Sequence, residues 1–210
     1  MKKTKSFFVI LFFAAVFFAP VPVSLHYFYL IEEQEREAPP PELKADAKTV
    51  VSNARSLIGR PYDQLMGRKN NLGKKFGGIV CIDVVNMAYK KAGICFEKEL
   101  RSVYWDTPRY FSNRSWNNPW DRNFARRVRN FRAYCRAKGF IFYDEKKLRP
   151  ADIVIFGTGH IALVDTVDED GFTVIESAGK RIVTLRTHRD ELYRRNIERY
   201  GRPVFARILK

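Results

Sequence analysis

The chain has 210 residues, with 46% hydrophobic content, 17 phenylalanines and a formal net charge of +15. That length accommodates one domain with a real core plus an appended segment, and the apolar content excludes an intrinsically disordered chain. Three cysteines are too few for a disulfide scaffold, and no Cys or His pair has zinc-ligand spacing, so neither a metal nor another cofactor is expected.

Lys2, Lys3 and Lys5 precede an uncharged stretch from Ser6 to Ile31. It is long enough to span a bilayer, which takes ~20 apolar residues. Residues 1–31 are read as an N-terminal membrane anchor or a signal segment, and both readings export the rest of the chain. The flanking lysines place the N-terminus in the cytoplasm. The domain is then extracytoplasmic, either held at the inner membrane by a single pass or secreted after cleavage. Residues 32–46, rich in Pro and Glu, form a linker stiffened by Pro39, Pro40 and Pro41. Packing is expected from residue 47 to residue 210.

Within the domain, Val50, Val51, Ala54, Leu57 and Ile58 recur on one face of a first helix, which Gly59 and Pro61 stop. A loop leads to "GGIVCIDVVNMAYKKAG", Gly77 to Gly93. There Ile82, Val85, Ala88, Tyr89 and Ala92 mark a buried helix that opens at Cys81. Residues 101–149 read as a basic helical insertion. A helix over Asp121–Gly139 turns Phe124, Val128, Phe131 and Cys135 inward. From Asp121 to Arg149 there are ten Lys or Arg against three Asp or Glu. Tyr104, Trp105, Tyr110, Trp116 and Trp120 lie in or just upstream of this run. An anionic surface is the partner this mixture suits, and export argues against nucleic acid.

After Pro150 the period changes from helix to strand. Residues 151–157, 160–167, 172–177, 181–187 and 203–209 read as five strands joined by short turns, an α+β order with an antiparallel sheet.

Cys81 at a helix start is a candidate nucleophile. The thiolate attacks, not the thiol, and unpaired N–H groups at a helix N-terminus stabilise it. His160 follows a Gly-Thr-Gly turn at the opening of a strand, where a ring can be fixed while facing a cleft. His188, in "RTHRDE", reads as a charged surface turn. A Cys–His pair needs a third group to orient the imidazole. Glu176, on the neighbouring strand, is the first candidate and Asp165 the weaker one.

Three blocks resemble the papain-like cell-wall hydrolases, the NlpC-type and CHAP amidohydrolases and peptidases. They are "ARSLIGRPYD", "GGIVCIDVVNMAYKKAGI" and "LRPADIVIFGTGHIALVDTVDEDGFTVIES", together covering most of residues 50–177. The resemblance implies a papain-like α+β fold with the nucleophile helix packed on the sheet. It implies Cys81 as nucleophile, His160 as general base and Glu176 as the orienting acid. Tyr62 matches a tyrosine that lines the cleft and assists the oxyanion. Asp83 stands where better-known relatives carry glycine, and is placed with Tyr62 in the substrate cleft. Ala151 replaces the glycine of a Pro-Gly-Asp turn, and Ala178 replaces an asparagine that CHAP domains often carry. The implied activity is hydrolysis of an amide in peptidoglycan by an exported thiol enzyme, with peptidoglycan or another anionic envelope polymer as partner. The alternatives are a lipid-directed thiol acyltransferase or esterase of the same fold, and a non-catalytic envelope-binding module.

Overall fold

A computed structural model describes residues 45–65, 75–179 and 183–210. The expected anchor and most of the linker lie outside these residues. Among the described residues no helix is long and apolar enough to cross a membrane.

Helix α1 (Ala47–Arg55) starts where Asp46 accepts the Thr49 N–H at 2.7 Å. This satisfies one of the donors that a helix start leaves open. Val50, Val51 and Ala54 are buried as expected, and so is Leu57. Ile58 is not; it is 44% exposed. The helix ends at Arg55, so the 3.6-residue period that assigned Ile58 to the inner face no longer applies.

Helix α2 (Cys81–Lys91) buries Ile82, Val84, Val85, Ala88 and Tyr89, and Gly93 ends it at φ +94°. A residue with a side chain would be strained there. The Tyr89 hydroxyl donates to the Ala151 carbonyl at 2.8 Å, tying α2 to the turn before the sheet. Helix α3 (Phe96–Asp106) straddles the start of the expected insertion and buries Phe96, Leu100 and Val103. Their i, i+4, i+7 spacing is a helical signal hidden among charged residues. Helix α4 (Val128–Ala137) is shorter than expected, because a 3-10 turn, Phe124–Arg126, precedes it. Asp121 holds the Asn123 N–H and the Arg127 guanidinium and does not cap the helix. The inward stripe of Phe124, Val128, Phe131 and Cys135 is buried throughout.

The sheet has six antiparallel strands: β1 (Ile141–Phe142), β2 (Ile153–Phe156), β3 (His160–Asp168), β4 (Gly171–Glu176), β5 (Leu185–His188) and β6 (Pro203–Ala206). Their spatial order is β1-β6-β2-β3-β4-β5. The expected five become six because the two-residue β1 pairs with β6. Among the described residues the fold is therefore α+β, with an antiparallel sheet and five α-helices.

Alternation along β3 divides the core. Ile161 and Leu163 join the side covered by α1, α2, α3 and α4, where Phe131 meets Phe96 edge-on at 4.9 Å. Ala162 and Val164 join the opposite side, covered by Leu192 and Tyr193 of helix α5 (Arg189–Tyr200). Burying each large apolar side chain contributes about 1.5–3 kcal/mol, and β2, buried at all four positions, feeds both sides. Helix α5 corrects the reading of His188. It is the N-cap of that helix, and its Nδ1 accepts the Asp190 N–H at 3.4 Å. Leu192 and Asn196 are the only buried residues of α5, so no apolar stripe announced it.

Candidate active site

Cys81 is the first residue of α2, half-buried, with Val80 before it in extended conformation. Two features hold this helix start. The Asp83 carboxylate reaches back to accept the Val80 N–H at 3.0 Å. Valine has no side-chain acceptor to return the bond, so this is half of a capping box. Then Arg126 grips Asp83, with Nε 2.9 Å from Oδ1 and a terminal nitrogen 2.5 Å from Oδ2. The same nitrogen lies 3.1 Å from Asp63 Oδ2.

The chain leading to Cys81 is pinned as well. Ile79 donates to the Pro61 carbonyl at 2.9 Å, Asp63 donates to the Ile79 carbonyl at 3.0 Å, and the Ser177 hydroxyl donates to that same carbonyl at 3.1 Å. The Pro61–Asp63 segment, the Cys81 approach and the end of β4 are thus stitched together.

His160 opens β3, paired with Phe156 across the Gly157-Thr158-Gly159 turn. The turn needs its glycines. Gly157 has φ +52°, and a Cβ there would lie 2.9 Å from the Tyr200 carbonyl oxygen. A Cβ on Gly159 would lie 2.7 Å from Cδ1 of the Tyr200 ring. The His160 ring is buried, and its Nε2 lies 2.6 Å from Glu176 Oε2. Extending the register Leu163↔Ile175 makes Glu176 the diagonal neighbour of His160 on the adjacent strand. The other ring nitrogen is left open to the cleft that His160 shares with Cys81, which acts electrostatically on the ring.

Burial disfavours a charged imidazole at this position. The hydrogen bonds and charges of Cys81 and Glu176 outweigh it and raise the His160 pKa to about 9. Burial likewise disfavours the Glu176 carboxylate. Hydrogen bonding to His160, with Arg195 adding its charge, overrules that and holds the acid at about 2. Arg195, from α5, binds the second Glu176 oxygen. The resulting row is Cys81, His160, Glu176, Arg195. Its protonic state at neutral pH favours imidazolium beside carboxylate.

Tyr62 joins Cys81 and His160 in an open cleft of about 1050 Å³, whose walls also include Gln64, Trp116, Ser177 and Tyr200. Burial, then the neighbouring Cys81, pushes the Tyr62 phenol up to about 12, so it stays a neutral donor at physiological pH. Asp83 does not line this cleft; it faces Arg126 and lines a separate cavity. Asp165 is also spent elsewhere. It sits at the bulge between Val164 and Thr166 and pairs with Arg55 at 2.7 Å and Arg186 at 2.5 Å.

The sequence reading missed Arg126 and Arg195. Each is one arginine in a strongly basic stretch, and the carboxylates it brings to the site, Asp63 and Asp83 for Arg126 and Glu176 for Arg195, lie on other elements, so no local pattern singles it out. Cys95 and Cys135 carry free thiols like Cys81. Among the described residues no group of three or more His, Cys, Asp or Glu is placed to hold a metal ion. Comparison with protein-family models finds no match to the chain, and comparison with curated proteins finds none either.

Proposed function

We propose that the protein is an exported cysteine hydrolase of papain-like architecture that cleaves an amide bond in peptidoglycan. The observation that carries the reading is the bond from His160 Nε2 to Glu176 Oε2, 2.6 Å long, made by a histidine that shares an open cleft with Cys81 at a helix start. A buried carboxylate has no reason to fix a histidine beside a thiol in an open cleft unless the thiol's proton is to be moved.

In this mechanism His160, as the imidazolium, holds the proton that Cys81 has given up, and the thiolate attacks the amide carbonyl carbon. The carbonyl electron pair moves to oxygen, where the Cys81 backbone N–H and the Tyr62 hydroxyl stabilise it. Collapse expels the amine, which receives the proton from His160. Water, deprotonated by His160, then attacks the thioester and returns the thiol and a free carboxylic acid. Glu176 keeps the ring oriented and stabilises the imidazolium, while Arg195 holds Glu176. The resemblance of the three sequence blocks to the cell-wall hydrolases supports peptidoglycan as substrate. The N-terminal apolar stretch supports an extracytoplasmic location.

Purified sacculi incubated with the protein and with its Cys81→Ala and His160→Ala variants test the proposal. Soluble fragments with newly exposed carboxyl or amino ends are expected from the wild type and from neither variant. Equal release by all three excludes hydrolysis of that substrate. Labelling by a peptide-like and a lipid-like thiol-reactive probe separates amide hydrolysis from the lipid-directed alternative. Unreactive Cys81 towards iodoacetamide at neutral pH favours a binding module.

A further inference from the structure

The cleft carries more positive charge than this mechanism uses. Arg126, Arg127, Arg129, Arg195 and Arg199 line it, and among the described residues no aspartate or glutamate does. Three of the five guanidiniums are committed: Arg126 to Asp63 and Asp83, Arg127 to Asp121, and Arg195 to Glu176 and Glu191. Arg129 and Arg199 have no carboxylate partner among the described residues. Their contacts are aromatic: Arg129 lies over the Trp116 ring at 4.7 Å, and Arg199 over the Tyr200 ring at 5.1 Å. Both side chains are exposed, one from the first turn of α4 and one from the last turn of α5.

A guanidinium held over a ring face is ordered while its in-plane N–H donors remain open. Two such groups on a cleft with no competing acid form a receptor for a group with paired anionic oxygens, which the planar fork matches in two parallel hydrogen bonds. Arginines placed only for solubility would stand apart from the site and among acids of their own.

We propose that the cleft selects an acyl donor carrying an anionic oxygen group, a carboxylate or a phosphate, which Arg129 and Arg199 bind near the carbonyl delivered to Cys81. This rests on Cys81 being the nucleophile. Specificity then comes from an oxyanion on the substrate, and Trp116 supplies a flat apolar wall beside it.

Alkylation of the full chain tests this without knowledge of the natural substrate. Iodoacetate and iodoacetamide deliver nearly the same carbon electrophile, one with a carboxylate and one with an amide. Rates at Cys81 are read by mass spectrometry of its peptide, with Cys95, which lies on a different cavity, as internal reference. The His160 imidazolium also attracts iodoacetate, so the measured quantity is the change in the iodoacetate-to-iodoacetamide ratio on substitution. The expected result is a fall of at least about fivefold in the Arg129→Gln/Arg199→Gln double variant. In 1 M salt, where the screening length is ~3 Å, that difference between wild type and variant closes. Inorganic phosphate and acetate, compared at matched ionic strength, then distinguish the two oxyanions. Slowing of Cys81 alkylation by one of them, lost in the double variant, identifies the class.

An unchanged ratio in the double variant, with Cys81 still alkylated faster than Cys95 by both reagents, overturns the anion site and leaves the nucleophile standing. Alkylation of Cys81 no faster than Cys95 by either reagent removes the hydrolase reading itself, and this proposal with it.

Discussion

Arg126→Met tests the idea that a buried ionic clamp holds the nucleophile in place. The Arg126 side chain is 8% exposed and serves two carboxylates, Asp63 at 0% and Asp83 at 8% exposure. Methionine conserves much of the volume and removes the cation that both acids face. Removing one partner of a buried ion pair costs about 3–5 kcal/mol. For a chain of this length each kcal/mol moves the melting temperature by roughly 2–4 °C. The variant should therefore melt roughly 6–20 °C below wild type in a circular-dichroism scan. Charge and packing are separated by the Asp63→Asn/Asp83→Asn/Arg126→Met triple variant, which should recover at least half the loss because neither buried carboxylate charge remains. Cys81 alkylation should also slow in the single variant below its melting point, since Asp83 caps the helix that begins at Cys81. A loss under about 1 kcal/mol, or a triple variant no better than the single, would refute the clamp.

Two further outcomes are expected from the same contacts. His160 sits at about 9 against an ordinary 6.5, so its stabilising contribution is complete below pH 6.5 and is lost as pH rises through about 9. In urea unfolding at pH 6, 7.5 and 9, wild type should weaken across that window and Glu176→Gln should weaken less, because its imidazolium has lost the carboxylate. Parallel pH profiles would sink the pairing. Ala151 holds φ +73°, a conformation that costs an L-residue roughly 1–2 kcal/mol. Ala151→Gly relieves it at the expense of a more flexible unfolded chain, and a net gain of roughly 0.5–1 kcal/mol is expected by chemical denaturation. A loss of stability would show that the methyl group, buried in the core, contributes more than the strain removes.

Legibility followed the range of the signal. Cys81, His160 and Glu176 were found from local patterns, and the structure brings all three to one site. Cys81 opens a run of buried apolar residues, His160 sits between glycines and a strand, and Glu176 ends the next strand of a hairpin. Hairpin pairing joins neighbours in sequence, so the diagonal contact between His160 and Glu176 needs only a register. Asp83 was misplaced because periodicity gives the direction of a helix face and not what covers it. Arg126, which covers it, stands 43 residues away.

By itself, then, the sequence determined the helix that starts at Cys81, four of the five expected strands nearly in place, and the hairpin that delivers His160 and Glu176. Hydrophobic period and turn chemistry act within a few residues, so they survive without a tertiary frame. Only the tertiary structure decided that β6 inserts between β1 and β2, that α5 covers the second face of the sheet, and that Arg195 reaches Glu176 from that helix. It likewise decided which arginines are neutralised and which line the cleft with no carboxylate partner among the described residues. An ion pair has no sequence period. Its partners are selected by proximity after the elements pack, and in a chain with 38 lysines and arginines against 23 acids many pairings are open until the fold removes them.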